Sequence, residues 1–291
     1  MTYTDLMAGY VTPMSPIPAD IPPAGSLKPP IRAVLFDVYG TLFISQSGDI
    51  SVARRNIGTA SRLEALIRAY HYPGSVSELI DAFFRAISEA HEAMRQTGVD
   101  YPEVRMERIW QQVLDGAKIE TDPKTDIETA RRVAIEFEMI VNPCYLMPHL
   151  VEVFSALRKK GIQMGIISNA QFFTPLLFQL LLGAQPENLG FARNLVFYSY
   201  RHGVAKPSRR LYQLAAGELE RMGIDAGAAV YVGNDMLNDI LPAAEEGFQT
   251  ALFAGDRRSL RLRSDDVRCA GVHPDLVITD WRQIKNAVSD K

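Results

Sequence analysis

Residues 33–42 read AVLFDVYGTL, an apolar run that ends at Asp37 and is followed by Gly40. Short apolar runs bounded by turn residues are typical of strands that are buried on both faces, as in a parallel sheet. We therefore predict a strand over residues 32–38, with Asp37 at its carboxyl end. In open α/β sheets, ligands bind at the carboxyl ends of strands near a topological switch point. Asp37 is consequently the first candidate site residue.

The chain after Pro143 alternates between segments of strand and of helix character. Apolar runs predict strands at residues 162–167, 195–198, 229–232, 250–253 and 276–278. Apolar residues spaced three and four apart predict helices at residues 150–159, 172–181, 208–222 and 239–246. This alternation predicts an α/β fold with a doubly wound, Rossmann-like parallel sheet.

The segment between the first strand and this alternating region has helical periodicity alone. It predicts helices at residues 62–70, 76–95, 102–114 and 127–140, with no comparable apolar strand among them. We therefore predict an all-helical cap domain at residues 49–142, inserted into a core made of residues 31–48 and 143–291. A cap of this kind can close over a site, exclude water and select the substrate.

Residues 1–30 differ in composition from the rest of the chain. They contain seven prolines and a single basic residue, Lys28, so they lack the charged start and apolar centre of a secretory signal. Because proline lacks a backbone N–H and fixes its own φ, we predict that this arm forms neither a helix nor a central strand. The expectation is an arm that runs extended over the surface or is disordered; whether it packs on its own domain or on a neighbour's, and the oligomeric state, stay open.

Composition limits the partners of the protein. The 291 residues carry 31 basic and 34 acidic side chains, a net charge of -3 that offers no excess of positive charge to a nucleic acid or an anionic membrane. No apolar run approaches the ~18 residues needed to cross a bilayer. Cys144 and Cys269 lack the spacing of a zinc site or a redox pair, which predicts two free thiols in a reducing cytoplasm. A small anionic molecule is the expected substrate.

Four short segments carry polar residues at or near the ends of predicted elements. They are FDVYGTL at residues 36–42, ISNA at 167–170, VAKP at 204–207 and VGNDMLND at 232–239. In this order, and with a helical insert after the first, they resemble the motifs of the haloacid dehalogenase superfamily. The resemblance covers about residues 31–280 and implies a hydrolase that acts through a covalent aspartyl intermediate.

The residue types in these segments suit that chemistry. A carboxylate at a strand end can attack phosphorus or carbon, and splitting the reaction into two steps lowers each barrier, so Asp37 is the predicted nucleophile. The Ser168 hydroxyl is predicted to bind an oxygen of the substrate, with Thr41 and Asn169 as further substrate-binding candidates. By resemblance, Lys206 is the buried lysine that neutralises the nucleophile and the transferring group.

Acidic residues after the strand at 229–232 predict a Mg²⁺ site. Asp235 and Asp239 could supply the hard oxygen ligands that Mg²⁺ prefers. By resemblance, the ligands are Asp37, the backbone carbonyl of Tyr39 and Asp235, with Asn234 or Asp239 bound directly or through water.

Position 39 departs from the phosphatase pattern of the superfamily. Phosphatases usually carry a second aspartate there as general acid and base, and the phenol of Tyr39, with a reference pKa of about 10, is a poor base. Tyrosine at this catalytic position instead resembles the 2-haloacid dehalogenases, which need no metal. The acidic residues of the last segment favour a Mg²⁺-dependent phosphomonoester phosphatase, which is the leading prediction. A metal-independent 2-haloacid dehalogenase and a non-catalytic binding protein are the alternatives.

Overall fold

The computed structural model describes residues 2–46, 57–117 and 124–288. The strands in these ranges are β1 Ala24–Gly25, β2 Ala33–Phe36, β3 Phe43–Ser45, β4 Cys144–Leu146, β5 Gln163–Ser168, β6 Phe191–Tyr198, β7 Ala229–Gly233, β8 Gln249–Phe253 and β9 Leu276–Ile278. The helices are α1 Tyr3–Ala8, α2 Ile57–Ala69, α3 Val76–Gln96, α4 Met106–Gly116, α5 Ile127–Val141, α6 Leu150–Lys159, α7 Thr174–Leu182, α8 Ser199–His202, α9 Arg210–Arg221, α10 Leu241–Glu245 and α11 Trp281–Ala287. A π-helical turn, Met236–Ile240, precedes α10.

Seven strands form one sheet in the order β1-β9-β8-β7-β2-β5-β6. All neighbours are parallel except β1, which runs antiparallel to β9 at the edge. The chain builds outward from β2 to β5 and β6 on one side, and then returns to add β7, β8 and β9 on the other. The topological switch point therefore lies at β2, and the predicted doubly wound α/β core is confirmed.

Strand β2 lies in the middle of the sheet, between β5 and β7, and packs against apolar side chains on both faces. All four residues are fully buried. Since successive side chains point to opposite faces, Val34 and Phe36 join the core cluster under α6 and α11, while Ala33 and Leu35 join the cluster under α9. This explains why an unbroken apolar run, rather than an alternating one, precedes Asp37.

Helices α2 to α5 pack around an apolar cluster of their own. At its centre Phe83 stacks on Trp110, with ring centroids 4.8 Å apart, and Phe137 packs against both rings. The antiparallel strands β3 and β4, which the sequence did not predict, lie side by side where the chain leaves and re-enters the core. The proposed cap boundary at residue 49 falls outside the described residues, and the division into an arm, a core and a cap stays a prediction.

The prediction that the N-terminal arm cannot form a helix is wrong. Helix α1 begins at Tyr3 with a capping box between Thr2 and Asp5, and it packs against α5 and α7 with Met7 fully buried. The first proline of the chain is Pro13, so the residues before it are free of the restriction on which the prediction rested. Beyond α1, the arm reaches the sheet edge as β1.

Smaller differences concern the ends of elements. The helix predicted from residue 102 begins at Met106, because Pro102 pairs with Val204 of the core instead. The helix predicted at residues 239–246 is the π-helical turn followed by α10, and α8 and α11 were not predicted. Among the described residues, no helix is both long and apolar enough to cross a membrane.

Candidate active site

Asp37 lies directly after β2, at the carboxyl edge of the sheet. Its backbone N–H donates to the carbonyl of Val232 on β7 over 2.9 Å, which fixes the start of the loop. The side chain is 5% exposed. Its Oδ1 accepts hydrogen bonds from Lys206 Nζ at 2.7 Å and Ser168 Oγ at 2.9 Å, whereas Oδ2 accepts a longer one of 3.3 Å from Thr41 Oγ1. One carboxylate oxygen is thus firmly held and the other is only weakly bound.

Lys206 is a buried cation shared between two carboxylates. Besides Asp37, its Nζ donates to Asp239 Oδ1 at 2.5 Å and to the hydroxyl of Tyr231 at 3.1 Å. Burial alone would lower the pKa of Lys206, but the carboxylates of Asp239 and Asp37 outweigh it and raise that pKa above its usual value. The structure therefore brings the side chains of Asp37, Ser168 and Lys206 together at one point, as predicted.

Asn169 holds the backbone of Lys206 in place. Its Oδ1 accepts from the Lys206 N–H at 2.7 Å, and its Nδ2 donates to the Lys206 carbonyl at 3.2 Å. Because the side chain also lines the cavity above Asp37, it is placed both to orient the lysine and to contact a ligand.

Asp239 is enclosed by the loop that carries it. Its Oδ1 accepts from Lys206 and from the Tyr231 hydroxyl, and its Oδ2 accepts the backbone N–H groups of Asn234 at 3.0 Å and Asp235 at 2.9 Å. A Cβ at Gly233 would lie 2.4 Å from the Asp239 carboxyl carbon, so glycine is needed there. With both oxygens engaged, Asp239 orders the loop and anchors Lys206, rather than offering a free ligand to a metal.

Asp235 is engaged by an arginine that the sequence analysis did not consider. Arg263, in the loop after β8, donates to both Asp235 oxygens, through Nε at 3.1 Å and Nη2 at 2.6 Å. Asp235 Oδ1 also accepts the N–H groups of Leu237 and Asn238 and caps the π-helical turn. The structure therefore places this predicted metal ligand in a bidentate ion pair with Arg263.

Asn234 is the residue of this loop that is linked to Asp37. Thr41 Oγ1 lies 3.0 Å from Asn234 Oδ1 as well as 3.3 Å from Asp37 Oδ2. Asn234 Nδ2 in turn donates to the carbonyl of Ser259. Gly40, at φ +82°, is required here because a Cβ would lie 2.5 Å from the Ser259 Cβ.

The residues at this site would supply a Mg²⁺ ion with only part of the predicted ligand set. Asp37, the backbone carbonyl of Tyr39 and the side-chain oxygen of Asn234 are the donors that suit it, because Mg²⁺ binds oxygen and commonly takes one or two carboxylates together with substrate phosphate. Across the described ranges, no three histidine, cysteine, aspartate or glutamate side chains are grouped so as to hold a metal by themselves. Substrate oxygens would have to complete the shell.

The side chain of Tyr39 is turned toward helix α7. Its hydroxyl lies 2.9 Å from Thr174 Oγ1. Burial, and after it the charges of Cys144 and Glu138, raise the pKa of the Tyr39 phenol well above its usual value. The phenol therefore stays neutral and does not replace the missing aspartate as a base.

A cavity of about 430 Å³ opens above Asp37. Its wall contains several charged groups that the sequence did not single out, namely Glu103, Glu138, Arg261 and Arg263. They come from the loop before α4, from α5 and from the loop after β8, and none lies in a recognisable motif, so no signal in the sequence could have selected them.

The loop before α4 brings the helical insert into contact with the segment before Lys206. The Ala205 N–H donates to the Tyr101 carbonyl at 2.8 Å, and the Glu103 N–H donates to the Gly203 carbonyl at 3.2 Å. The Glu103 carboxylate accepts from Ser199 Oγ at 2.6 Å, and burial raises its pKa to about 7. The segment that leads directly into Lys206 is thus held against the loop before α4.

Comparison with known proteins agrees with this arrangement. A family profile described as haloacid dehalogenase-like hydrolase matches residues 31–247. Glyceraldehyde 3-phosphate phosphatase of Methanocaldococcus jannaschii is 26% identical over 228 residues, which cover 76% of this chain and 83% of the relative. The fold is similar to that of a 2-haloacid dehalogenase from Pseudomonas syringae pv. Tomato, with 20% identity, a TM-score of 0.54 and coverage of 89% of this chain and 98% of that chain.

A phosphatase from Thermococcus onnurineus shares the fold at 16% identity and a TM-score of 0.53, over 89% of this chain and 98% of that chain. These solved structures share the architecture of this chain. The profile match covers more than the architecture, because it spans β2 with Asp37 directly after it, the helical insert, and the π-helical turn that contains Asp239. The protein therefore belongs to the haloacid dehalogenase-like hydrolases.

Proposed function

We propose that the protein is a Mg²⁺-dependent phosphatase that hydrolyses a phosphomonoester of a small molecule. One observation carries the proposal: a carboxylate, Asp37, paired with a buried lysine at 2.7 Å, lies at a polar cavity whose wall also carries Arg261 and Arg263. Cationic groups around a nucleophile suit a transferring group that is itself doubly charged. The phosphatase named among the relatives supports the same substrate class.

The residues of the site divide the work of a two-step displacement. Asp37 attacks phosphorus and forms an acyl phosphate, which water then cleaves. Lys206 offsets the charge of the attacking carboxylate and of the phosphoryl oxygens, and Asp239 keeps it in place through a 2.5 Å contact. Ser168, which donates to Asp37 Oδ1 at 2.9 Å, orients the nucleophile.

We assign the metal to Asp37, the carbonyl of Tyr39 and the side-chain oxygen of Asn234. This differs from the set drawn from the sequence, because Asp235 accepts two hydrogen bonds from Arg263 and three from Leu237 and Asn238 of the turn that follows it. A bound Mg²⁺ would neutralise charge on the phosphoryl group. Arg263 leaves Asp235 with the structural role of capping the loop.

Dehalogenation of a 2-haloacid is the second candidate function. Tyr39 favours it, because its phenol is bound to Thr174 and supplies no general acid, while a halide leaves without a proton. The pairing of Asp235 with Arg263 also suits a site that needs no metal.

Two assays on the full chain separate these candidates. We expect 4-nitrophenyl phosphate to be hydrolysed in the presence of Mg²⁺ and this activity to disappear with EDTA. Metal-independent halide release from 2-chloropropionate, without phosphate release, would replace the phosphatase by the dehalogenase. Inactivity in both assays, with no Mg²⁺ bound in calorimetry, would favour a non-catalytic binding protein.

We also propose a cytoplasmic location. Cys144 and Cys269 are both buried free thiols. Such thiols are typical of proteins kept in a reducing compartment, since disulfides persist mainly in oxidising ones. Fractionation of the native host, followed by detection of the protein with an antibody, would test this proposal; recovery outside the cytoplasm would contradict it.

A further inference from the structure

A carboxyl group from the helical insert faces the site from the side of Tyr39. Glu138 lies in the last turn of α5, and its side chain forms part of the wall of the same cavity as Asp37 and Tyr39. The Asn142 Nδ2 donates to Glu138 Oε1 at 3.0 Å, and Ser45 Oγ donates to Asn142 Oδ1 at 2.8 Å. The side chain of Asn142 thus links the Glu138 carboxyl to Ser45 of β3 and holds it in place.

The second oxygen of Glu138 is available to a ligand. In the described part of the chain, Oε2 accepts no hydrogen bond, and it is not among the side-chain atoms that are both enclosed and unpartnered. No described lysine, arginine or histidine forms an ion pair with this carboxyl. An oxygen with these properties, in the wall of a cavity, is open to a substrate or a water molecule.

The surroundings of Glu138 favour its protonated form. Burial raises the pKa of the Glu138 carboxyl, and the hydrogen bond from Asn142 opposes this only in part. Its position near the carboxyl end of α5 works in the same direction, because the helix dipole disfavours a negative charge there. The protonated carboxyl can give a proton and the carboxylate that remains can then accept one, whereas the raised pKa of the buried Tyr39 phenol makes it a poor base near neutral pH.

We infer that Glu138 is the general acid and base of the reaction, in place of the aspartate that this chain lacks at position 39. The inference rests on the proposed phosphatase function. As an Asp37 oxygen bonds to phosphorus, the bond from phosphorus to the ester oxygen breaks, and the Glu138 proton passes to that oxygen to release the alcohol. Glu138 then accepts a proton from the water that attacks the acyl phosphate; this releases phosphate and regenerates both the Asp37 carboxylate and the protonated Glu138.

The other carboxyl group of the cap that lines the cavity is a less suitable donor. Both oxygens of Glu103 are engaged, Oε2 by Ser199 at 2.6 Å and Oε1 by Gln171 at 3.1 Å and by the Val104 N–H at 3.0 Å. Glu103 therefore joins the cap to the core, whereas Glu138 keeps one oxygen open.

The test compares two phosphate esters that differ in the need for a proton. 4-Nitrophenolate leaves without protonation, whereas the alkoxide of an alkyl phosphate such as 2-phenylethyl phosphate requires it. We expect Glu138→Gln to reduce kcat/KM for the alkyl ester by roughly 10²–10⁴-fold. With the aryl ester, the same variant should release the first nitrophenolate per enzyme at nearly the wild-type rate and then turn over slowly, because the attacking water lacks its base.

Two further variants complete the design. Glu136→Gln, two residues earlier on α5 where the carboxylate binds the hydroxyls of Tyr10 and Tyr70, should leave both activities unchanged. Glu138→Asp, which keeps an acid on a shorter side chain, should recover part of the alkyl activity. If Glu138→Gln, folded as judged by circular dichroism, affects neither ester or slows the first turnover of both equally, the assignment of Glu138 is wrong while the phosphatase stands. If the wild type hydrolyses neither ester, the phosphatase proposal fails and this inference with it.

Discussion

Replacing Glu103 with glutamine should stabilise the protein at pH 8 but not at pH 4. Burial raises the pKa of Glu103 from 4.5 to about 7, since the carboxylate has hydrogen bonds from Ser199 and Gln171 but, among the described residues, no cation as a partner. Between pH 4.5 and about pH 7, Glu103 keeps its proton in the folded protein but has lost it in the unfolded chain. The contribution of Glu103 to stability is therefore greatest below pH 4.5 and falls as the pH rises toward 7.

The size of the effect follows from the shift. A difference of 4.5 to about 7, at 1.36 kcal/mol per unit, corresponds to a loss of about 3 kcal/mol across this window. Glutamine keeps an oxygen for the Val104 N–H and cannot ionise, so the variant avoids this loss. The difference in unfolding free energy between Glu103→Gln and the wild type should increase by about 3 kcal/mol from pH 4 to pH 8.

Urea unfolding at several pH values measures this difference. The fluorescence of Trp110 reports on the helical insert and that of Trp281 on the core, because each is fully buried in its own apolar cluster. Glu64→Gln, on the exposed face of α2, is the matched control and should give no comparable change. A difference that stays constant with pH, or a variant that is less stable than the wild type at pH 8, would refute the reasoning.

Three further predictions concern the nucleophile, its cation and the packing of the cap. Asp37→Asn should abolish phosphate release while the circular dichroism spectrum stays native, and residual activity above roughly a tenth would exclude Asp37 as the nucleophile. Lys206→Met leaves the Asp37 and Asp239 carboxylates buried without their cation, so urea unfolding should show a loss of about 3–5 kcal/mol; a loss within error of zero would contradict the ion pairs. Phe83→Ala removes a fully buried ring stacked on Trp110 and should cost about 3–5 kcal/mol in unfolding free energy, whereas a change below about 1 kcal/mol would mean that the cluster repacks.

The sequence could predict the core of the site because that part depends on strands. Apolar runs must be buried, and the carboxyl ends of parallel strands share one edge of the sheet. Asp37 directly follows β2 and Ser168 is the last residue of β5. These two strands are direct neighbours, which brings the two side chains to 2.9 Å across 131 residues of chain. Helical periodicity located α2 to α5, whereas the proline content of the arm led to the wrong prediction for α1, which precedes the first proline.

The rest of the site depends on the directions that side chains take after folding. The pairing of Asp235 with Arg263 joins a loop after β7 to a loop after β8, and neither loop has a periodicity that predicts its course. Helical periodicity placed Glu138 on α5, but only the packing of α5 beside β3 brings its side chain into the wall of the cavity that Asp37 also lines. By itself the sequence determined the α/β fold and the place of Asp37 at the carboxyl edge of the sheet, since these follow from burial and strand order, whereas the burial of Lys206 was expected only from the family resemblance. Only the tertiary structure decided which acidic side chains at the cavity keep an oxygen unbonded within the described ranges, as Glu138 does, and which are already paired, as Asp235 is. The reason is that the hydrogen bonds of a carboxylate depend on the groups that pack against it after folding.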